Sequence, residues 1–362
     1  MFEARGFASP DATPSGPKPR RLTPEDPVPA HSRRRLVVLA ASLSIVLAAC
    51  GGSTTSPTIP ADATGSAVPP ITASPSPAAA FPVTVTDDEG TLIDIAAAPV
   101  RIVSLTPANT EIVFELGAGA RVVATDSGSD FPAEAAALPD VADFASVDVE
   151  QIVGLDADLV IAGGLAFTPA DAITQLRDLG IPVVVVYAPT IEAVYEDIEL
   201  IGEAIGAAEP AATLVGTMRT EMDAIAAAAG TGTRPRVFYE IGYTDATGQI
   251  FAPADDSFVA EMVTMAGGDT ITTGDPTSYE IPLETLIERD PQIIVLGVNP
   301  FYAPTPEAVA ARTGWDVMSA VRDDGIVTVQ DTEITRPGPR LPIGLRNLTA
   351  AIRPDVELPT AP

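Results

Sequence analysis

The feature that most constrains the fold is a series of short, continuous apolar segments that alternate with helical patterns. Examples are DLVIAG from Asp158, IPVVVVYA from Ile181 and QIIVLG from Gln292. Such segments lack an alternation of polar and apolar residues, so they suit strands that are buried on both faces. Buried strands separated by helices are typical of parallel sheets covered by helices on both sides. The sequence therefore predicts an α/β protein.

The alternating segments fall into two groups, separated by a long stretch without any strand pattern. Residues 191–230 are predicted to form two connecting helices with a break near Glu209 and Pro210, because proline suits the first turn of a helix. Residues 83–190 and 231–362 are each predicted to form a lobe. We therefore expect two three-layer α/β lobes with parallel sheets, joined by a long rigid helix.

The two predicted lobes contain similar units. VDVEQIVGLDADLVIAG (residues 147–163) and IPLETLIERDPQIIVLG (residues 281–297) each combine a helix start with an acidic residue and a buried strand. Glu150 and Glu284 occupy the matching positions near the helix start. Any fold of alternating strands and helices repeats such units, and a carboxylate near a helix N-terminus is favoured by the helix dipole.

The N-terminal segment has the layout of an export signal. Basic residues 33–35 precede the apolar residues 36–49, which end in small side chains. This apolar run is short for a transmembrane helix, which needs about 20 residues. Leu47-Ala48-Ala49-Cys50 resembles the bacterial lipobox, in which the cysteine thiol is lipidated and becomes the mature N-terminus. We expect a signal peptide at residues 1–49 and a lipid anchor on Cys50; the alternative is an ordinary signal peptide with a chance cysteine.

The segment after Cys50 is rich in Ser, Thr, Pro, Ala and Gly. It contains few large apolar residues, so it cannot bury a core. We predict a flexible tether over residues 50–82.

Composition excludes several kinds of site and partner. The chain has one cysteine and one histidine, His31, which precedes the predicted cleavage site. The mature protein would therefore have no zinc or copper site built on imidazole or thiolate ligands, and no catalytic Ser-His or Cys-His pair. The formal net charge of −29 opposes binding to nucleic acid or anionic lipid. We expect no cofactor, no nucleic-acid partner, and contact with the membrane only through the lipid anchor.

Six stretches occur in an order that resembles one protein family. They are SLTPANTEIVFELGAGARVVATD (residues 104–126), SDFP (129–132), VDVEQIVGLDADLVIAG (147–163), QLRDLGIPVVVV (175–186), AGGDTI (266–271) and RPGPRL (336–341). Over residues 83 to 354 the chain resembles the solute-binding proteins of iron-siderophore and vitamin B12 ABC importers, the class III proteins with a helical backbone. The resemblance implies a ligand bound between two lobes, at loops that follow strands, as open parallel sheets generally require.

The resemblance also implies roles for individual residues. Expected at the ligand are a first loop, three aromatic rings and one arginine, namely Thr106, Pro107, Ala108, Asn109, Phe131, Phe144, Tyr279 and Arg336. Glu150 and Glu284 are expected to dock on the permease. Two alternatives stay open: the phenylalanines could belong to the core, and Arg336 and Arg340 could pair with nearby acids that fix the loop before the last helix.

The sequence thus predicts a monomeric, lipid-anchored, extracytoplasmic solute-binding protein that delivers a metal chelate to an ABC permease and its ATPase. The expected ligand is cobalamin or another corrinoid first, and a ferric siderophore or haem second. Such a protein is not an enzyme. The alternative is a surface-anchored hydrolase that uses paired carboxylates, although no acid pair stands at a recognisable spacing.

Overall fold

The computed structural model describes residues 81–143, 145–164, 167–230, 232–300 and 302–360. The predicted signal peptide, Cys50, nearly all of the predicted tether, and Phe144 lie outside the described residues. The described chain begins with a hairpin, in which β1 (Val83–Thr86) pairs antiparallel with β2 (Leu92–Ile95).

The first lobe contains a five-stranded parallel sheet in the order β5-β4-β3-β6-β7. Its strands are β3 (Ile102–Ser104), β4 (Val122–Asp126), β5 (Asp140–Ala142), β6 (Leu159–Gly163) and β7 (Val183–Val186). Its helices are α1 (Pro107–Glu115), α2 (Val149–Gly154) and α3 (Ala170–Asp178). All residues of β6 and β7 are buried, as their continuous apolar sequences predict.

Two helices connect the lobes, α4 (Ile191–Ile205) and α5 (Ala208–Ala229). The break between them was predicted near Glu209 and Pro210, but it lies at Gly206 and Ala207. Gly206 ends α4 in the left-handed conformation with a φ of +76°, which glycine adopts without steric cost. Pro210 lies inside the first turn of α5, where a missing N–H leaves no hydrogen bond unmade.

The second lobe contains a four-stranded parallel sheet in the order β11-β8-β12-β13 and a separate antiparallel hairpin of β9 and β10. Its strands are β8 (Arg236–Glu240), β9 (Gly242–Thr244), β10 (Gln249–Phe251), β11 (Asp269–Ile271), β12 (Ile293–Val298) and β13 (Ile326–Gln330). Its helices are α6 (Phe258–Met265), α7 (Leu283–Arg289), α8 (Pro306–Ala310), α9 (Ser319–Arg322) and α10 (Leu341–Ile352). A single 3₁₀ turn, Trp315–Val317, precedes α9.

One apolar core runs through both lobes. It includes Val85 of the hairpin, Ile198 of α4, Met222 of α5 and Leu345 of α10. Two smaller cores cover the other face of each sheet. Within the described ranges, no helix combines the length and the apolar character that crossing a bilayer requires.

A buried carboxylate connects the first lobe to the loop before α10. Glu111 of α1 has 3 % of its surface exposed. Its two oxygens accept hydrogen bonds from Arg340, Nε at 2.8 Å and Nη2 at 2.6 Å, and from Nη1 of Arg336 at 3.0 Å. Nη1 of Arg336 also donates to Asp130 at 2.6 Å. The arginines of the RPGPR segment therefore hold the second lobe against α1.

Two glycines, one on α4 and one on α5, provide a matched test of how closely these two helices pack. A Cβ atom at Gly202 would collide with the Cβ of Ala211, whereas one at Gly216 would meet no atom within 4 Å. We expect Gly216→Ala to raise the free energy of unfolding by about 0.5–1 kcal/mol, since alanine favours the helix. Gly202→Ala should lower it, because α4 and α5 must move apart. Urea denaturation checks both, and equal effects of the two substitutions would contradict the close contact.

A second prediction concerns Glu111. Replacement of Glu111 by Gln leaves two arginines half-buried without their carboxylate, so we expect a loss of about 3 kcal/mol in the free energy of unfolding. Glu115→Gln is the control, because Glu115 lies on the same helix but is exposed. Urea denaturation of both variants measures the difference. A loss for Glu111→Gln no larger than that of the control would show that the ion pairs contribute little.

Candidate functional site

The strand orders place a crevice at the carboxyl ends of both sheets. In the first lobe β3 lies between β4 and β6, and in the second lobe β8 lies between β11 and β12. The chain leaves such neighbouring strands in opposite directions, which opens a crevice at their carboxyl ends. The loops after these strands are therefore the first place to look for a ligand site.

Four aromatic side chains are exposed in the segments that follow the strands. The exposed fractions are 44 % for Phe131, 49 % for Phe167, 45 % for Tyr187 and 48 % for Tyr279. They follow β4, β6, β7 and β11 respectively. Every other aromatic side chain in the described part of the chain is buried or half-buried. Rings left in water at one edge of the sheets are a candidate binding surface for a large apolar group.

Tyr187 of the first lobe meets Tyr279 of the second. Burial, and then the neighbouring Tyr187 hydroxyl, raise the pKa of Tyr279. Tyr279 is also fixed through its backbone, since its carbonyl accepts a hydrogen bond from the amide of Ala252 at 2.8 Å. Exposed rings therefore come from both lobes, and those of Tyr187 and Tyr279 approach each other across the crevice.

Two glycines at the end of β6 make room for the rings. A Cβ atom at Gly163 would lie 2.7 Å from Cγ2 of Thr106 and 3.0 Å from Cβ of Phe167. One at Gly164 would lie 3.2 Å from the ring of Tyr187. Larger residues at either position would displace the side chains that form the edge of the crevice.

A hydrogen-bonded chain of side chains holds the loop that carries Phe131. The carboxylate of Asp126, at the end of β4, accepts from Oγ of Ser129 at 2.5 Å and from the amide of Gly128 at 2.9 Å. Ser129 in turn shares a hydrogen bond of 2.8 Å with Thr110 of α1. Burial raises the pKa of Asp126, against the opposing effect of these hydrogen bonds. The guanidinium of Arg340 lies 4.4 Å from the centre of the Phe131 ring.

Thr106, Pro107, Ala108 and Asn109 were predicted to form the first ligand loop, but the last three of them belong to helix α1. Only Thr106 precedes α1, and its hydroxyl caps the helix by accepting from the Asn109 amide. Proline is favoured at the first position of a helix, so α1 begins at Pro107. Ala108 and Asn109 are buried. Nδ2 of Asn109 has no hydrogen-bond partner among the described residues.

A second group of residues stiffens the wall of the second lobe. Glu240, at the end of β8, is fully buried. It accepts hydrogen bonds from the hydroxyl of Tyr302 at 2.5 Å and from Nη2 of Arg312 at 3.1 Å. The guanidinium of Arg312 lies 3.7 Å from the ring centre of Tyr243 on β9. Burial and the Glu240 carboxylate raise the pKa of Tyr302.

Arg336, the predicted ligand arginine, makes ion pairs with protein carboxylates. Burial lowers its pKa, but the hydrogen bonds to Asp130 and Glu111 outweigh that effect and raise it. This geometry agrees with the alternative in which the arginines fix the loop before α10. Its contact with a ligand stays a prediction, as does that of Phe144, which lies outside the described residues. Among the described residues, no group of three or more His, Cys, Asp or Glu side chains is placed to hold a metal ion.

Glu150 and Glu284 occupy equivalent places in the two lobes. Each is the exposed second residue of its helix, α2 or α7, and these helices precede β6 and β12. Glu150 also lines a surface cavity of about 510 Å³. The lining of that cavity includes none of the four exposed aromatic residues; it comprises residues 145–150, Pro169, Asp171, Ala172 and Gln175.

The sequence did not single out Phe167, Tyr187 or Glu240. Tyr187 directly follows the predicted strand VVVV, and Glu240 closes the predicted strand RVFYE. The rule that ligands bind beyond the carboxyl ends of parallel strands would have identified both. Phe167 lies beyond the end of β6 in a segment that none of the six matching stretches of sequence covers.

Comparison with known proteins agrees with this architecture. The family model described as "Periplasmic binding protein" matches residues 102–332. An uncharacterized ABC transporter substrate-binding lipoprotein of Bacillus subtilis, YvrC, is 34 % identical over 282 residues, which cover 76 % of this chain and 87 % of that protein. A cobalamin-binding protein of Halobacterium salinarum is 31 % identical over 294 residues, which cover 78 % of each chain.

A solved structure shares the fold. The periplasmic heme-binding protein RhuT from Roseiflexus sp. RS-1 superposes with a TM-score of 0.62 at 25 % sequence identity, over 70 % of this chain and 97 % of that one. The family model matches well over half of the chain, and its match spans both parallel sheets and the helices between them. The protein is a member of the periplasmic binding protein family.

Proposed function

We propose that this protein is the extracytoplasmic substrate-binding component of an ABC importer and that it carries a metal chelate between its two lobes. The observation that supports the proposal is the set of four exposed rings at the carboxyl ends of the parallel strands. Cobalamin and haem, the ligands named for two similar proteins, both present large apolar faces. Aromatic rings bind such faces through burial of apolar surface and stacking.

Among metal chelates, a corrinoid is the first choice. A haem pocket commonly supplies a protein ligand to the iron, such as histidine or tyrosinate. The one histidine of the chain, His31, lies before the predicted mature N-terminus. Tyr279 has a raised pKa, which disfavours the tyrosinate form that would bind ferric iron. A ligand whose metal is already coordinated without help from the protein fits these side chains better. The second choice is therefore a ferric siderophore, or haem bound only through its faces.

The pairing of charges around the crevice also favours a corrinoid as the ligand. Arg312 is paired with the buried carboxylate of Glu240, and Arg336 and Arg340 share the buried carboxylate of Glu111, while Arg336 also binds Asp130. An anionic ligand would have to compete with these buried carboxylates for the arginines. A ligand bound mainly through its faces requires no such exchange, and the exposed rings are available to it.

Delivery completes the proposal. Glu150 and Glu284, one on each lobe, dock on arginines of the permease, and a lipid on Cys50 keeps the monomeric protein at the membrane. The ligand is released unchanged, so the protein is a receptor and not an enzyme. A hydrolase, the alternative function, would return a chemically altered ligand after incubation.

Ligand binding tests the proposal directly. We expect cyanocobalamin to bind with one molecule per chain in an absorbance or calorimetric titration, and to be recovered intact. Phe131→Ala and Tyr279→Ala should each weaken binding by about 0.5–1.5 kcal/mol or more, the usual value of an aromatic contact beyond its buried area.

The control for these variants is Leu179→Ala. Leu179 is 60 % exposed and lies at the end of α3, near the amino ends of the strands and away from the crevice. Its replacement should leave the affinity unchanged. Hemin is titrated in parallel, and tighter binding of hemin than of cyanocobalamin would reverse the order of ligands. Failure of both to bind would reject a macrocyclic chelate.

The two glutamates test delivery separately from binding. The double substitution Glu150→Arg and Glu284→Arg should leave cyanocobalamin affinity within about twofold but abolish uptake by cells. Loss of one partner of a partly desolvated ion pair costs roughly 2–5 kcal/mol of binding free energy. The double substitution removes two proposed ion pairs with the permease. Glu203→Arg with Glu209→Arg is the control of equal charge, on exposed positions beside the break between α4 and α5. If the first pair weakens ligand binding as much as Phe131→Ala does, the glutamates belong to the ligand site.

A further inference from the structure

Tyr187 is held in place by the turn of the N-terminal hairpin. Its backbone amide donates a short hydrogen bond to Oδ2 of Asp88, in the turn between β1 and β2. The amide of Asp88 in turn donates to the carbonyl of Val185 at 3.1 Å. The end of β7, where Tyr187 enters the crevice, is therefore joined to Asp88 at two points.

Asp88 has a second partner, which is another carboxyl group. Asp197 lies on α4, with 5 % of its surface exposed, and its side chain is within hydrogen-bond reach of the Asp88 side chain. Two carboxyl groups in contact share one proton, because two carboxylates would repel each other. Asp197 is the buried member of the pair, and burial favours the neutral, protonated form of a carboxyl group.

The surrounding charges do not replace this proton. Glu196, on the same helix, adds negative charge. In the hairpin turn, Asp87 is bound to Arg177 of α3 at 2.6 Å, and the same guanidinium is 4.0 Å from Glu89. On α5, which packs against α4, Arg219 is paired with Glu192. On α1, Glu111 is paired with the arginines before α10. Burial, then Asp88 and Glu196, raise the pKa of Asp197 to about 9.

We propose that Asp197 is a positioning residue for the ligand crevice: as a neutral acid, it holds the Asp88 carboxylate where that group accepts the Tyr187 amide. The proposal rests on the proposed function in one respect, that the ligand touches Tyr187. The ring of Tyr187 packs over Gly164 and meets Tyr279. A shift of its backbone would therefore alter the contact between the lobes on the side opposite Phe131 in the strand order.

Loss of the proton from Asp197 should separate the Asp88 carboxylate from the Tyr187 amide. Ionised Asp197 repels Asp88, and the amide of Tyr187 loses its acceptor. The apparent dissociation constant of a ligand rises as the fraction of competent molecules falls. Asp197→Asn is the decisive variant, because an amide donates the same hydrogen bond and does not titrate. Asp197→Leu keeps the size of the side chain but cannot donate.

The first measurement needs no ligand. Hydrogen–deuterium exchange of the Tyr187 amide is compared in the full-length wild type and Asp197→Asn, at pH 7.5 and pH 9.5. We expect equal rates at pH 7.5 and at least about threefold faster exchange of the wild type at pH 9.5, since most Asp197 is then ionised. At pH 7.5 Asp197→Leu should exchange about tenfold faster than Asp197→Asn. Equal rates of wild type and Asp197→Asn at both pH values would overturn the proposal.

The second measurement uses cyanocobalamin as the probe. For the wild type, the dissociation constant should rise about fourfold between pH 7.5 and pH 9.5, because about one quarter of the molecules keep the proton at the higher pH. For Asp197→Asn it should change less than about twofold. Tyrosine ionisation is common to both proteins and cancels in the comparison. The same pH dependence in both would overturn the effect on binding.

The two measurements separate this inference from the proposed function. If cyanocobalamin fails to bind any of the proteins, the choice of ligand is wrong, and amide exchange alone decides whether Asp197 positions Tyr187. If Asp197→Asn does not fold, Asp88→Asn takes its place. That variant removes the repelling carboxylate but keeps an acceptor for the Tyr187 amide, so its exchange at pH 9.5 should stay slow; fast exchange would count against the proposal.

Discussion

The arrangement of the two lobes depends on one buried carboxylate. Glu111 is almost fully enclosed, and it accepts hydrogen bonds from two arginines that belong to the other lobe. Burial of a single charge would be costly, but the paired and largely charge-assisted hydrogen bonds offset that cost. Because the same arginines touch Asp130 and the ring of Phe131, the contact that joins the lobes also shapes the floor of the crevice.

The chemistry of the crevice follows from how its charges are paired. Each arginine near it has a buried carboxylate partner, so the exposed groups that remain are rings and not cations. Gly163 and Gly164 allow these rings to lie close to the end of β6. The resulting surface suits a large ligand with apolar faces better than a small anion. The proposed protonation of Asp197 follows the same principle, since a neutral acid removes a charge where two carboxyl groups meet.

Much of the fold was predictable because it is encoded locally. Continuous apolar runs identified β6, β7 and β12. The predictions missed β5 and the β9–β10 hairpin, each strand of which has only three residues. Such short strands form because a neighbouring strand or a buried aromatic residue such as Trp315 supplies their partners.

By itself, the sequence determined the class of the fold and its division into two lobes with connecting helices. These features follow from apolar runs and from residues that start or end helices, which act over a few positions. Only the tertiary structure decided that Glu111 binds Arg336 and Arg340, that Tyr187 meets Tyr279, and that Asp197 meets Asp88. Each of these contacts joins residues far apart in the chain, and a charge or a ring shows nothing of its partner until folding brings the two together.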